Sequence, residues 1–448
     1  MNLSTHRFWL LGLLSLLTAG AFAQQAAPMT LDDCIRLGLK QNYQVQQAEF
    51  DVQRSKQFVR EQLASAYPQA SFSAQLTDNI RIAKFPFPGE FLGQPGTFVP
   101  IEFGVRYNVN TGLQVTQIIY SQSLFTGIEA ARQSIALSEL NVQRTREQTA
   151  YDIAALYYSA QVNRVQIGLL ETSLRQVQDL MQVTELTVQT GTGMQIDFNR
   201  LKVNETNLLT QRQSLMQAYD QQLALLKLQL GLAPEAPFAI RDSIELDTWR
   251  IEGMTPNPQA STDIQLLEKQ VEMNEYAFKL ARQAYVPTLA AFGSASLQAQ
   301  SSTWDFVSNS DRWFNAAAIG LQLSVPVFDG FRTDARIRQA EVDLLKSQNE
   351  VRNVEQAYET QFYNARQKLA AAEAALKAQQ ANIQLADEVY SYSSLRFRQG
   401  VAPVTEVLTA ETSRKEAQTG YLTALVQYQL ARLEWIRFSG NLAELTKL

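Results

Sequence analysis

Two spacings of hydrophobic residues alternate along the chain, and each predicts one type of secondary structure. Long segments without internal Pro carry apolar residues three and four positions apart, which is the spacing of packed helices. They predict helices over about 31–66, 128–190, 195–230, 260–285, 332–399 and 404–438. The fifth of these is 68 residues long and contains neither Gly nor Pro, so as a helix it would extend roughly 100 Å.

Four segments between the helices alternate apolar residues with small or polar ones. They predict strands over about 68–78, 105–118, 287–299 and 315–326. Each strand would have one apolar face, on which Leu321 is expected to face lipid, and one wet face. A soluble strand half-buried on a core has the same pattern. If the strands cross a membrane, several chains must share one barrel, because four strands cannot close and open edges are not tolerated in lipid.

The strands and helices are arranged as two copies of one unit. Equivalent positions are Val52 and Val271, Pro68 and Pro287, Tyr151 and Tyr358, Gly191 and Gly400, and Gly231 and Gly440. The expected organisation is a first repeat over 24–231, an inter-repeat segment over 232–259, a second repeat over 260–440 and a tail over 441–448.

The first 23 residues are predicted to be a secretory signal peptide. Arg7 provides positive charge, Phe8–Leu17 is a short apolar run, and Ala21-Phe22-Ala23 is a small-residue cleavage site. The apolar run is too short for a transmembrane helix. The mature chain is therefore expected to leave the cytosol.

Composition argues against catalysis and against metal binding. The only His, His6, lies in the predicted signal, which removes His-dependent triads and most zinc sites from consideration. Cys34 is the only Cys and is interpreted as a small buried residue on a helix. Asp32 and Asp33 are expected to cap the first helix. Because no catalytic constellation remains, the chain is predicted not to be an enzyme and to need no cofactor or metal. The net charge of −5 predicts that it binds no nucleic acid.

Two segments between paired strands are predicted to be outward-facing loops, Lys84–Glu102 and Ser301–Trp313. Their aromatic residues suit a membrane interface, although a generic surface loop is the alternative. These residues are Phe85, Phe87, Phe91, Phe98, Trp304 and Trp313.

These features together resemble the TolC family of outer-membrane efflux proteins over essentially the whole mature chain. The resemblance lies in the strands that begin at Pro68 and Pro287 and in the strand-to-helix joint SVPVFDG at 324–330. It also lies in two helix–turn–helix tips, GTGMQID at 191–197 and GVAPVTEVLTA at 400–410. In both tips an acidic residue follows the turn Gly by six positions.

The resemblance implies an α+β membrane protein that forms a homotrimer. Four strands from each chain would make one 12-stranded β-barrel in outer-membrane lipid, continuous with a long periplasmic α-helical barrel. The inter-repeat segment would join a belt around the helices. Such proteins are passive exit ducts of Gram-negative bacteria, working with a periplasmic adaptor protein and an inner-membrane transporter of RND or ABC type.

By position, the resemblance also implies a periplasmic gate. Asp197 and Glu406 would line the constriction as a carboxylate ring that favours cations, although acids at these positions also complement a helix N-terminus. The tip turns would dock the adaptor through Gly191, Gly193, Gly400, Val401 and Pro403. Thr409 and Ala402 stand where a well-known relative has Asp and Arg, so the gate's salt-bridge lock is not expected to be conserved here.

Two other interpretations remain open at this point. A periplasmic structural or adhesive coiled-coil protein without a pore would share the long helices and the signal peptide, but it would not need paired amphipathic strands in both repeats. Within the duct interpretation, drug efflux and type I protein secretion are not separated, because the inner-membrane pump selects the cargo.

Overall fold

The computed structural model describes residues 28–93, 95–242, 257–305 and 310–446. The predicted signal peptide lies outside the described residues, as do 243–256 of the inter-repeat segment and 447–448 of the tail. The helices are α1 Leu31–Gln41, α2 Tyr43–Ala64, α3 Gln122–Gln189, α4 Gln195–Gln229, α5 Thr262–Gln283, α6 Arg332–Arg398 and α7 Val404–Phe438. The strands are β1 Gln69–Asp78, β2 Lys84–Pro88, β3 Phe98–Glu102, β4 Tyr107–Tyr120, β5 Thr288–Ser301 and β6 Trp313–Ser324.

The first predicted helix, 31–66, is wrong as a single element, because it is divided at Asn42. The backbone of Asn42 is extended, with φ −61° and ψ 128°. Its side-chain oxygen accepts hydrogen bonds from the Gln44 and Val45 amides, while its Nδ2 donates to the Gln229 carbonyl at 2.8 Å. Asn42 therefore ends α1, caps α2 and attaches both to the end of α4.

Side-chain caps also fix two helix starts. At α1, Thr30 accepts a hydrogen bond from the Asp33 amide while the Asp33 carboxylate accepts from the Thr30 amide, which is a reciprocal capping box. The predicted capping role is thus confirmed for Asp33, and Asp32 lies in the same acidic first turn. The α3 helix begins six residues before its predicted start, because Ser121 accepts from the Leu124 amide and caps it directly after β4.

The four longer strands form one antiparallel sheet in the order β1-β4-β5-β6. The segment predicted to be a loop at Lys84–Glu102 instead contains the antiparallel hairpin β2–β3. Pro86 pairs with Pro100, so neither residue donates a ladder hydrogen bond at that position, and an ion pair of 3.2 Å joins Lys84 to Glu102. The high Pro content led to the prediction of a loop, whereas the segment forms a two-stranded sheet separate from the main sheet.

The chain divides into two compact units that differ from the two sequence repeats. Unit 1 comprises Met1–Phe50, Leu140–Gln265 and Arg352–Leu448, and unit 2 comprises Asp51–Glu139 and Leu266–Val351. Each unit takes segments from both halves of the sequence. Unit 2 contains all six strands, whereas unit 1 contains both turns that join consecutive long helices.

Unit 1 has two hydrophobic clusters. One packs α1 against α3, α4 and α7, and Cys34 is fully buried in it. Its full burial confirms the interpretation of a small buried residue on a helix. The same burial raises the pKa of the Cys34 thiol to about 12. The other cluster lies nearer the turns and joins α3, α4, α6 and α7. Its buried residues are Leu170, Leu174, Val177, Leu180, Leu201, Leu208, Tyr390, Val404, Val407 and Ala410.

None of the helices in the described part of the chain is both long enough and apolar enough to cross a membrane.

Candidate functional site

The strand register of the main sheet collects the apolar side chains on one face. Phe72 pairs with Leu113, which pairs in turn with Ala295, and Ala295 pairs with Ala317. The row through Ala70, Val115, Gly293 and Ile319 continues the pattern, whereas the row on the other side also contains Thr111 and Asn315. The apolar residues of this face are Ala70, Phe72, Ala74, Leu76, Val109, Leu113, Val115, Leu289, Ala291, Ala295, Leu297, Ala317, Ile319, Leu321 and Leu323. Ile319 is 92% exposed in the single chain, so this face has no protein partner there.

The opposite face of the same sheet is polar and carries no charge in any of the four strands. Its residues include Gln69, Ser71, Ser73, Gln75, Asn108, Asn110, Gln114, Thr116, Ser294, Ser296, Gln298, Gln300, Gln322 and Ser324. Ile118, Phe292 and Phe314 are the large apolar residues on it. The Phe292 ring lies over Gly320, where an added Cβ would approach the ring to 2.8 Å. Two chemically different surfaces are thus present on the two sides of one sheet, and neither is buried by the chain itself.

Both edges of the sheet are open within the described part of the chain. β1 pairs only with β4, and β6 pairs only with β5. The backbone groups along the outer sides of β1 and β6 therefore form no ladder with another strand of this chain. Unpaired edges of ten and twelve residues are templates for pairing with further strands.

The first turn between long helices connects α3 to α4. Gly191 adopts φ 77°, a left-handed conformation that favours glycine. The amides of Thr192 and Gly193 both donate to the Thr187 carbonyl, at 2.9 and 2.8 Å. A Cβ on Gly193 would approach the Thr187 hydroxyl to 2.5 Å, so this position also requires glycine. Glycine is thus needed at Gly191 for its backbone conformation and at Gly193 because a side chain would not fit.

The second turn connects α6 to α7 and, like the first, begins with a glycine in the left-handed conformation. Gly400 adopts φ 74°, and the Val401 amide donates to the Arg396 carbonyl at 2.9 Å. Pro403 is the N-cap residue of α7, with an extended backbone at φ −74° and ψ 157°. The Val401 side chain is exposed. Apolar side chains are exposed beside the first turn as well, at Met194 and Ile196.

The two predicted gate acids lie in the first turns of the helices that follow. Asp197 in α4 pairs with Arg200 of the same helix at 3.0 Å, and Glu406 in α7 pairs with Arg396 at the end of α6 at 2.7 Å. Both positions suit carboxylates, because a helix N-terminus carries partial positive charge. Each acid is therefore matched by an arginine of its own helical hairpin.

Arg396 is a contact that sequence reasoning missed. Because Ala402 stands where a relative has Arg, no salt bridge involving an arginine is expected at this turn from the sequence. Arg396, four residues before Gly400, nevertheless forms a salt bridge with Glu406 across the turn. An arginine in the last turn of a long helix, followed by a turn Gly and an acid, is the signal that could have found it. Thr409 donates to the Thr405 carbonyl of its own helix at 2.9 Å.

A buried polar cluster lies one to two turns further along α7. The ion pair between Arg414 and Glu411 measures 2.6 Å, and both side chains are at most 7% exposed. The Arg414 guanidinium stacks on Tyr390 of α6 at 3.7 Å and donates to Ser173 of α3 at 3.3 Å. Burial raises the pKa of Glu411. This cluster joins three helices by polar contacts within a largely apolar core.

The equivalent position of the first half holds a smaller polar cluster. Glu205 follows Gly191 by fourteen positions, as Arg414 follows Gly400. Glu205 accepts hydrogen bonds from Lys202 at 2.8 Å and from Gln178 of α3 at 3.1 Å, and the Lys202 bond lowers the pKa of Glu205. No group of three or more His, Cys, Asp or Glu side chains is placed to hold a metal ion in the described parts of the chain.

Comparison with known proteins gives consistent matches. The sequence model of the family described as outer membrane efflux protein matches residues 259–441. The proteases secretion protein PrtF of Dickeya chrysanthemi is 24% identical over 225 residues, which cover 47% of this chain and 47% of PrtF. The chain thus aligns with about half of that relative's length.

A second relative and a solved structure match over more of the chain. The outer membrane efflux protein BepC of Brucella suis is 20% identical over 379 residues, covering 84% of this chain and 79% of BepC. The outer membrane protein VceC of Vibrio cholerae has the same fold, with a TM-score of 0.71 and 16% identity over 92% of this chain and 96% of VceC.

The fold, the four-stranded sheet with its two distinct faces, and these matches agree. Residues 259–441 match the outer membrane efflux protein family, and the whole chain is similar to outer-membrane efflux proteins of the TolC family in sequence and in fold.

Proposed function

We propose that this chain is one subunit of a passive exit duct, through which an inner-membrane pump delivers cargo across the outer membrane. The observation that carries the proposal is the sheet, in which the register separates an apolar face from an uncharged polar face over four adjacent strands. Such a sheet suits lipid on one side and water on the other. Its strands have 10 to 14 residues, and a tilted membrane strand needs about 9–11.

The open edges support an oligomer. In lipid, an unpaired strand edge leaves backbone N–H and C=O groups without hydrogen bonds. Each such group costs at least about 2 kcal/mol. Joining β6 of one copy to β1 of the next satisfies both edges. We propose a homotrimer, because three chains with four strands each give a closed barrel of the size that the family implies. Two copies would together provide eight strands, which is about the minimum for a closed barrel.

Aromatic residues at both ends of the sheet support a membrane position. At the end where the strands meet the helices, Tyr67, Tyr120 and Tyr285 are exposed. At the other end, the Trp304 ring lies 5.2 Å from the Tyr107 ring, and Trp313 begins β6. Tyr and Trp favour the interfaces on both sides of a bilayer.

The helices support a periplasmic extension with docking partners. α6 contains 67 residues, which correspond to roughly 100 Å of helix. The exposed apolar side chains at Met194, Ile196 and Val401 offer a surface at the turns for a periplasmic adaptor protein. The adaptor would connect the duct to an inner-membrane transporter of RND or ABC type, and Asp197 and Glu406 would form the gate at this end.

The conformations of paired glycines support an origin by duplication. Gly191 and Gly400 both have positive φ at the tips, and Gly231 and Gly440 both have positive φ after α4 and α7. A Cβ on Gly231 would approach the Gln41 carbonyl to 2.4 Å, and one on Gly440 would approach the Asn257 carbonyl to 2.6 Å. Both halves thus use glycine for the same turn and the same close approach.

In the proposed system, the inner-membrane pump and not the duct selects the class of cargo. PrtF is named for protease secretion and BepC for efflux, so the family includes ducts for proteins and for other cargo. The proposed role is transport, and the chain itself carries out no chemical step.

The experiment is to purify the mature protein from membranes, determine its mass and record its conductance in a planar bilayer. We expect extraction only with detergent, a trimeric mass and a small single-channel conductance. A protein that leaves with the periplasmic fraction and conducts no current would refute the proposal and favour a structural coiled-coil protein.

A further inference from the structure

The joint between β6 and α6 exposes a short series of large apolar side chains. Val325, Val327, Phe328 and Phe331 lie in seven consecutive residues and are all at least half exposed. The Phe328 and Phe331 rings contact each other edge to face, with centroids 5.5 Å apart. In the first half, Ser121 alone separates β4 from α3, so the longer joint is specific to the second half.

Phe331 is held in an unfavourable backbone conformation. Its φ is 63°, and it is the only residue other than glycine with a positive φ among the residues that the structure describes. For a bulky L-residue this conformation costs free energy that glycine would not incur. Contacts on both sides hold the turn, since Asp329 accepts hydrogen bonds from the Thr333 amide and hydroxyl, and the Phe331 carbonyl accepts from the Ala335 amide at 3.0 Å.

Packing within the chain does not explain why an aromatic residue occupies this strained position. Phe331 is 73% exposed, and Gly330 before it already provides a left-handed residue. The location offers a reason. The pairing of Thr288 with Ser324 and of Leu289 with Tyr120 places the joint at the same end of the sheet as the exposed Tyr120 and Tyr285. The apolar face of β6 leads directly into the joint.

We propose that Phe328 and Phe331 form an anchor that inserts into the headgroup layer of the phospholipid leaflet at the helix end of the sheet. The proposal rests on the proposed function, because it requires the apolar sheet face to contact lipid. Transfer of the two rings into the interface offsets the backbone strain at Phe331. The rigid turn sets the depth at which the sheet lies in the bilayer.

Depth-dependent fluorescence quenching tests the proposal. In a Cys34→Ala background, single cysteines at Phe331→Cys, Leu321→Cys and Val401→Cys are labelled with an environment-sensitive dye. The labelled proteins are placed in phosphatidylethanolamine–phosphatidylglycerol vesicles that carry nitroxides either on the headgroup or at the middle of the acyl chain. We expect the label at 331 to be quenched most by the headgroup nitroxide, the label at 321 by the mid-chain nitroxide, and the label at 401 by neither.

The outcomes separate this inference from the proposed function. A label at 331 that behaves like the label at 401, or that is quenched most by the mid-chain nitroxide, overturns the anchor while the label at 321 still reports a lipid-facing sheet. A label at 321 that no lipid nitroxide quenches contradicts the proposed function itself.

A matched pair of substitutions tests the anchor without a label. Phe331→Gly removes the ring and the strain together, whereas Phe331→Trp retains an interfacial aromatic. We expect the Gly variant to melt in detergent at the same or a higher temperature than the original protein, yet to insert into vesicles several-fold less well. The Trp variant should insert normally. Full insertion of the Gly variant would overturn the proposal.

Discussion

The main sheet of unit 2 and the cluster of unit 1 near the helix turns, where α3, α4, α6 and α7 pack together, differ in how far their side chains are buried. In the cluster, Leu201 is fully buried and even the charged Arg414 is covered by its neighbours. In the sheet, Ile319 is 92% exposed and Leu321 is 71% exposed. The cluster therefore has a core of its own, whereas the sheet has none within one chain and, in the proposed duct, would be buried by lipid and by further copies of the chain. Burial of apolar area is the main stabilising contribution in a water-soluble core, and only the helical region obtains it within one chain.

The largest effect is expected inside the cluster. Arg414→Met removes the counter-ion of Glu411 together with the contacts to Tyr390 and Ser173, and should lower the free energy of unfolding by about 3–5 kcal/mol. Denaturant unfolding followed by circular dichroism measures the change. Arg366→Met, an exposed arginine of α6, serves as the control and should change stability by less than about 0.5 kcal/mol. Equal effects of the two substitutions would show that the buried ion pair has no special role.

The next effect is expected on the apolar face of the sheet. Leu321→Lys should cost about 2–4 kcal/mol near the bilayer midplane and reduce the yield of assembled protein in vesicles. Gln322→Lys places the same charge on the next residue of β6, on the polar face, and should leave assembly unchanged. Assembly yield on native gels compares the two. If both variants assembled equally well, the two faces would not differ in environment.

A smaller effect is expected from pH, and it concerns the cluster only. Burial raises the pKa of Glu411 above its ordinary value of 4.5, so the folded state holds this proton more strongly than the unfolded state does. The contribution of Glu411 to the free energy of unfolding should therefore fall as pH rises from 4.5 and become constant above the raised pKa. Subtracting the unfolding curve of Glu411→Gln from that of the original protein isolates this dependence. A difference that increased with pH would contradict the assigned direction.

The smallest effect on stability is expected at the tips. Both acids form partly exposed ion pairs, each worth about 0–1 kcal/mol, so Asp197→Ala combined with Glu406→Ala should hardly change unfolding. It should instead lower the cation preference of the reconstituted pore, as measured by the reversal potential in a salt gradient. Unchanged selectivity would leave the two acids with the role of complementing their helix N-termini.

The contrast between the two regions also explains what the sequence could reveal. The alternation at Ile319, Leu321 and Leu323 predicts a strand with distinct faces, because that period depends only on local backbone geometry. The spacing of Leu170, Leu174 and Val177 predicts a buried helical seam for the same reason, and all three are buried. Local patterns do not determine strand order, however, and the pairing of β4 with β5 across the two halves is known only from the structure.

Particular residues show where local reasoning failed. Asn42 divides a predicted helix that contains no Pro, because its side chain hydrogen-bonds to Gln229, which is distant in sequence. Strands β2 and β3 contain three prolines, which argue against strands in general but are tolerated in edge strands such as those of a two-stranded hairpin. The pairing of Glu406 with Arg396 depends on the geometry of the turn between them, and that geometry has no periodic signal.

Accessibility of single cysteines in a conducting pore tests the central claim most directly. In a Cys34→Ala background, Ser296→Cys lies on the polar face of β5 and Ala295→Cys lies beside it on the apolar face. A charged, membrane-impermeant thiol reagent is added during planar-bilayer recording. We expect the current to fall for Ser296→Cys and to stay constant for Ala295→Cys, because only the polar face lines water. Modification of Ala295→Cys alone, or of both cysteines equally, would contradict a sheet that separates an aqueous lumen from lipid.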